Sequence, residues 1–159
     1  MTTNYKLSKD DDIPQIDATL YWSMIGALLY LTTTRPDIMQ AIGMVARFQS
    51  IPKQSHLAVV KRILRYLKGT TDFGLWYPKS STLMVTAYSD ADWAGSLDDR
   101  KRTSGNAFFM GDCLVSWLNK KQSSISLSTA EAEYIATVDC CTQIIWMKEA
   151  LKDVNIETM

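Results

Sequence analysis

Apolar residues recur at helical spacing from Leu20 to Leu31, broken by Ser23 and Gly26, and predict a first helix. Thr34-Arg35-Pro36-Asp37 then reads as a break followed by a new start. Proline is tolerated in a first helical turn, and Asp37 suits the positive end of the helix dipole. The second helix is predicted over residues 36–49, with Ile38, Ile42, Val45 and Phe48 on one face, and Ile51-Pro52 ends it. A third helix is predicted over 54–68, with Leu57, Val60, Leu64 and Leu67 inward and Gly69 as its C-cap.

After Gly69 the period changes. Phe73 to Tyr77 and Leu83 to Tyr88 read as strands separated by a Pro-Lys-Ser-Ser-Thr loop. Thr103 to Met110 and Leu114 to Leu118 read as a hairpin across Gly111-Asp112. Ser128-Thr129-Ala130-Glu131 has the form of a capping box. It opens a long helix whose apolar face is predicted to carry Tyr134, Val138, Cys141 and Ile145. The expected class is α+β: three N-terminal helices, then an antiparallel sheet and one long helix. The expected divisions are a flexible acidic arm at 1–16, a helical region at 17–72 and a strand-and-helix unit at 73–159.

Composition narrows the functions. With 159 residues and 47% apolar content, the chain is long enough to bury a core. Its 17 basic and 17 acidic residues cancel, so nucleic-acid binding would have to come from local patches. Cys113, Cys140 and Cys141 make no paired framework, and His56 is the one histidine. A zinc site is therefore not expected, and a reduced, intracellular setting is. The N-terminal residues have no apolar core of the kind a signal peptide carries, and the Leu20–Leu31 run is too short to span a bilayer. No membrane partner is expected. The five tryptophans read as core and loop anchors, and His56 as a packing or capping residue.

The candidate chemistry lies in two acidic segments, Tyr88-Ser89-Asp90-Ala91-Asp92-Trp93-Ala94-Gly95 and Ser128-Thr129-Ala130-Glu131-Ala132-Glu133. Asp90 ends an apolar strand, and Ala91 leaves room beside it for a cation. Glu133 lies in the first turns of a helix that could be laid against that strand. Two hard oxygen ligands placed so could share a Mg²⁺. The same residues also suit plain structural roles: Asp90 and Asp92 as turn formers, Glu131 and Glu133 as dipole-favoured starts.

Several ordered runs resemble the ribonuclease H region of copia-type retrotransposon Pol polyproteins. They are Tyr88 to Gly95, Asp99-Arg100-Lys101-Arg102-Thr103-Ser104-Gly105, Ser116-Trp117, Lys120-Lys121-Gln122 and Leu127 to Tyr134. Tyr21 to Leu31, Thr34 to Ile38, Arg47-Phe48, His56 and Lys61 to Thr70 resemble the segment joining reverse transcriptase to ribonuclease H in the same family. The resemblance implies an enzyme that cuts the RNA strand of an RNA–DNA hybrid with two Mg²⁺ ions clamped by four carboxylates. It implies that Asp90 and Glu133 are two of those catalytic and metal ligands. The family's next aspartate, on a following strand in a Cys-Asp-Asn type run, has no counterpart here. The expectation is therefore a truncated ribonuclease H-like unit without activity of its own, whose first strand has an open edge prone to self-association.

Lys61, Arg65 and Lys68 fall at i, i+4 and i+7 on the third helix, and Arg100, Lys101, Arg102, Lys120 and Lys121 form further basic clusters. In an intact element these could contact hybrid phosphates; equally they suit a solvated surface. Arg62-Ile63-Leu64-Arg65 also resembles the Arg-x-Leu-Arg host-entry tetrapeptide of secreted oomycete effectors, through Arg62, Leu64 and Arg65. That resemblance implies a second function class: a secreted protein acting inside a host cell by binding a host protein.

Overall fold

The structure is a computed structural model that describes residue 7 and residues 12–79, 84–92 and 101–156. The described residues fall into two compact units, the first reaching to Gly74 and the second beginning at Leu75.

The first unit is helical. Helix α1 spans Ala18–Leu31, and the Asp17 carboxylate caps it by accepting from the Thr19 N–H at 2.8 Å. At its other end Thr32, Thr33 and Thr34 turn their hydroxyls back onto the carbonyls of Leu29, Tyr30 and Leu31. The same three carbonyls also accept backbone N–H groups of residues 32–35, so the last turn of the helix is closed twice over. A 3₁₀ turn at Pro36–Ile38, helix α2 at Met39–Val45 and a 3₁₀ turn at Ala46–Phe48 follow. Ile38, Ile42, Val45 and Phe48 are buried, as their spacing predicts. Helix α3 spans Gln54–Lys68.

These elements enclose a core of Tyr21, Ile25, Leu28, Ile38, Ile42, Val45, Val59, Val60 and Ile63. The Tyr21 hydroxyl, buried in this core, donates to the Val45 carbonyl at 2.8 Å. Burial pushes the phenol's pKa well above its ordinary value. The inward face of α3 is rotated from the expected one. His56, Val59, Val60 and Ile63 are buried, whereas Leu64 is exposed. α3 is strongly amphipathic, and the core takes Val59 and Ile63 on one flank of its apolar face while Leu64 on the other flank stays exposed.

His56 packs and caps. Its ring stacks on Phe48 with centroids 4.0 Å apart, and its Nδ1 accepts the Lys53 N–H at 3.0 Å. Residues 14–16 of the expected arm are tied down: Gln15 bridges to Lys53, the Ile16 N–H donates to Pro52 O, and the Gln54 N–H donates to Pro14 O.

The second unit is a three-stranded antiparallel sheet in the order β1-β2-β3, backed by a helix. The strands are β1 at Val85–Asp92, β2 at Thr103–Met110 and β3 at Cys113–Lys121. Gly111 carries the φ of 58° needed at the first position of the two-residue turn joining Met110 to Cys113. A register shift at Phe108/Phe109 leaves Val115 between the partners Leu114 and Ser116, so the nine residues of β3 pair with the eight of β2. Phe73 to Tyr77, expected as a strand, forms none. Phe73, Trp76 and Tyr77 are exposed, so their apolar character is not matched by burial in a sheet. Leu83 and Arg100 lie outside the described residues.

Helix α4 spans Thr129–Asp153 and packs across β1 and β2. Ser128 Oγ accepts the Glu131 N–H, and Glu131 Oε2 accepts the Leu127 N–H at 2.7 Å, closing the expected cap one residue early. The face turned to the sheet is not the predicted one. Ala132, Ala136 and Cys140 are buried, while Tyr134, Val138, Cys141 and Ile145 are exposed. Small side chains let the helix lie close on the sheet, as the Ala91–Ala132–Ala136 cluster shows. Trp22, Trp76 and Trp146 are exposed and so are not core anchors, while Trp22 Nε1 donates to Gln49 O at 3.0 Å.

Candidate functional site

β1 and α4 bring the two acidic segments together. Ser89 and Ala91 face α4: the Ser89 hydroxyl lies 3.5 Å from that of Thr137, and Ala91 is buried with Ala132 and Ala136. The first turns of α4 are thereby fixed beside the end of β1. Glu133 Oε1 accepts the Ala91 N–H at 3.3 Å, which places its carboxylate on the peptide joining Asp90 to Ala91. Both Asp90 and Glu133 are exposed.

Strand alternation sets the rest of the geometry. Asp90 lies between two residues that face α4, so its side chain leaves the opposite face. Tyr88 shares that face and meets Phe109 edge-on, with centroids 5.7 Å apart. Ala91 does not provide the open space expected beside Asp90, because it is packed under α4. Among the described residues, no group of three or more His, Cys, Asp or Glu side chains could hold a metal ion. Asp90 and Glu133 are two carboxylates on either side of one peptide, and one of them is engaged by a backbone N–H.

The anchor that holds α4 in this position is Gln122, which belongs to one of the quoted motifs but had no assigned role. It is buried. Its Nε2 donates to Ser104 Oγ and to Ala132 O, both at 2.9 Å, and its Oε1 accepts from Ser126 at 3.0 Å. One side chain thus ties β2, the loop and the first turn of α4 together. A lone amide between two lysines and a serine run gives little signal of this in the sequence.

The basic residues differ in availability. Lys61, Arg65 and Lys68 are exposed along α3, and Lys120 is exposed on β3. Lys101 is half-buried and its Nζ donates to Ser123 O at 2.6 Å, while Lys121 is half-buried at the end of β3. Arg102 departs furthest from the expected phosphate contact. Its side chain is buried, and its Nη1 has no hydrogen-bond partner. In the Arg62 to Arg65 tetrapeptide, Ile63 is fully buried in the core, Arg62 is half-buried, and Leu64 and Arg65 are exposed. No helix among the described residues is long and apolar enough to cross a membrane.

The molecule is thus an α+β protein in which a helix carries a glutamate to the end of the first strand. Comparison with known proteins gives this class a family. The chain is 39% identical to the retrovirus-related Pol polyprotein from transposon RE1 of Arabidopsis thaliana over 156 residues, which is 98% of this chain and 11% of that protein. It is 42% identical to the retrovirus-related Pol polyprotein from transposon TNT 1-94 of Nicotiana tabacum over 137 residues, 86% of this chain and 10% of that protein. It is 41% identical to the secreted RxLR effector protein 161 of Plasmopara viticola over 128 residues, 80% of this chain and 90% of that protein. The chain belongs with the retrovirus-related Pol polyproteins from transposons, and is similar to an RxLR effector as well. It spans about a tenth of the length of the Pol polyproteins it matches. No family model matches the chain, and no solved structure matches it.

Proposed function

We propose that this transposon-derived chain is a ribonuclease H-like unit that retains part of a two-metal nuclease site and is not an active nuclease by itself. The observation that carries the reading is the placement of the Glu133 carboxylate on the Asp90–Ala91 peptide. There a helix glutamate reaches the backbone beside a strand aspartate, whose own side chain leaves the other face of the strand. Two-metal hydrolysis needs both the attacking and the leaving oxygen clamped, and two carboxylates cannot hold two ions for that purpose. Mg²⁺, when present, would be bound weakly by Asp90 and Glu133 with most of its waters kept. The ancestral substrate is an RNA–DNA hybrid, with Lys61, Arg65 and Lys68 the exposed row suited to its phosphates.

The test is incubation of the purified chain with a labelled RNA–DNA hybrid in Mg²⁺ or Mn²⁺. The expected result is no cleavage above background. Cleavage that disappears in Asp90→Asn would overturn the reading.

A second reading is favoured by one specific observation, the extent to which the chain covers the effector of Plasmopara viticola. On that reading the chain acts by binding a protein inside a host cell, and Arg62, Leu64 and Arg65 assist entry. Ile63 is locked in the core, which leaves the exposed Leu64 and Arg65 as the accessible half of the tetrapeptide. With a secretion signal fused, replacement of Leu64 and Arg65 by alanine should abolish delivery of a reporter into host cells. Unchanged delivery would remove the tetrapeptide from the account.

A further inference from the structure

Helix α4 has two apolar faces, and the sheet covers one of them. Ala132, Ala136 and Cys140 lie against the sheet. At about 100° per residue, Tyr134, Val138, Cys141 and Ile145 form a narrow stripe almost diametrically opposite. This stripe is open: Tyr134 is 72% exposed, Val138 47% and Ile145 64%, and Cys141 is exposed too. The intervals along it are four, three and four residues, the alternation of a coiled-coil seam. Continued by the same intervals, the seam meets Glu131 at its N-terminal end and Lys148 and then Lys152 at its C-terminal end.

The charges choose the occupant. Pack a second α4 antiparallel, with the two-fold axis level with the Asp139–Cys140 peptide. Each seam residue then meets a suitable partner: Glu131 faces Lys148, Tyr134 faces Ile145, and Val138 faces Cys141. Each pairing occurs twice, as an isologous two-fold contact requires. Lys152 comes level with Leu127, which is 91% exposed, and its alkyl stem can cover that side chain. A parallel arrangement instead stacks Glu131 on Glu131 and Lys148 on Lys148, which is repulsive at both ends. The seam is complementary to itself in one orientation.

We propose that the chain forms an antiparallel dimer through the outer face of α4, with a second copy as the occupant. This interface is distinct from the open edge of β1 and does not depend on any nuclease reading of the chain.

The experiment is light scattering on the full chain over a range of concentrations, with helix content followed in parallel. The wild-type chain should be a dimer. Ile145→Lys should be a folded monomer, since its site is exposed and the core is untouched. Because the Glu131 carboxylate also accepts the Leu127 N–H, the charge is tested at its partner: Lys148→Glu should weaken the dimer several-fold and Lys148→Arg should not. Under mild oxidation, Val138→Cys should give a cross-linked dimer through Cys141 of the opposite copy. A monomeric wild type, or a dimer unaffected by Ile145→Lys, overturns the proposal. The second outcome would move the contact elsewhere, the β1 edge being the test's other address. Cross-linking only between like positions, or a dimer unaffected by Lys148→Glu, overturns the antiparallel register.

Discussion

Arg35 grips Asp37 with two parallel bonds, Nε to Oδ1 at 2.9 Å and Nη2 to Oδ2 at 2.7 Å. The same guanidinium donates to Thr70 twice, from Nη1 to the carbonyl at 3.0 Å and from Nη2 to the hydroxyl at 2.8 Å. The Tyr66 hydroxyl adds a donation to Asp37 Oδ2 at 2.9 Å. The Thr34-Arg35-Pro36-Asp37 segment thus clamps the C-terminal end of α3, and its work is structural. Replacing Arg35 by alanine removes a forked, partly buried charge pair and frees the Thr70 carbonyl. Hydrogen bonds to charged groups contribute about 1.5–3 kcal/mol, and Arg35→Ala should lower the stability of the helical unit by about that amount. Arg35→Lys should recover little, because an ammonium cannot form the fork. Urea denaturation followed by helix content measures both.

The same clamp makes stability depend on acid. The Arg35 guanidinium, aided by the Tyr66 hydroxyl, holds the Asp37 carboxyl below its ordinary pKa. A carboxyl depressed in the folded state contributes stability that is complete above its unfolded value, about 3.9. That stability is lost as pH falls from there through the lower folded value. Wild type and Asp37→Asn should therefore differ by a constant amount from neutral pH to about pH 5, and converge below pH 4. Melting temperatures across pH 2–7 would show it, and a gap that widens on acidification would contradict the assigned cause.

Periodicity found elements more reliably than faces. The buried set of α2 and its flanking turns could be read directly, because Ile38, Ile42, Val45 and Phe48 leave no competing stripe. β2 and the Gly111 turn were also legible, because a glycine at the tip of alternating strands has few other uses. In α4 the larger side chains gave the stronger periodic signal and the wrong face. Close approach to the sheet selects Ala132 and Ala136, and hydrophobicity alone ranks alanine low. The site was readable as residue types but not as geometry. Nothing in the sequence shows that Glu133 would bond the Ala91 N–H, or that Arg102 would be buried rather than presented to phosphates.

Gln122 should prove a critical side chain of the second unit. It makes three side-chain hydrogen bonds in a buried site, and its loss leaves Ser104, Ser126 and the Ala132 carbonyl to find other partners. Leaving a buried group unmet costs about 1–3 kcal/mol. Gln122→Leu should destabilise the sheet–helix unit by at least that much and speed amide exchange in the first turns of α4 more than in its last turns. Uniform exchange along the helix would deny Gln122 its anchoring role.

The exposed row on α3 gives a salt-dependent prediction. If Lys61, Arg65 and Lys68 meet hybrid phosphates, each displaces condensed counterions. Replacing all three by glutamate should weaken binding of an RNA–DNA hybrid strongly and flatten its dependence on salt. Lys120→Glu should act in the same direction, and Arg102→Gln should act through stability because its side chain is buried. Fluorescence anisotropy at several salt concentrations separates the two effects. A triple variant with an unchanged salt slope would place any binding on another surface.

The last prediction turns on the bond between Glu133 and Ala91. A divalent ion at Asp90 and Glu133 must share or displace the 3.3 Å bond that Glu133 Oε1 accepts. It must also draw in Asp90, whose neighbours Ser89 and Ala91 both face α4. With these two carboxylates as its protein ligands, Mn²⁺ should bind weakly, on the order of millimolar. The Ala91 amide proton is the direct reporter, because it is the donor to Glu133. NMR line broadening on Mn²⁺ titration should be greatest at Ala91 and at the amides around Glu133. It should be lost in the combined variant Asp90→Asn, Glu133→Gln. Glu133→Gln alone keeps an oxygen for the Ala91 N–H while removing a charged ligand, so it should preserve the fold and still weaken the metal. Broadening that centres on another carboxylate, or persists in the combined variant, would place the metal elsewhere. The Glu133–Ala91 bond would then be a helix-docking contact and nothing more.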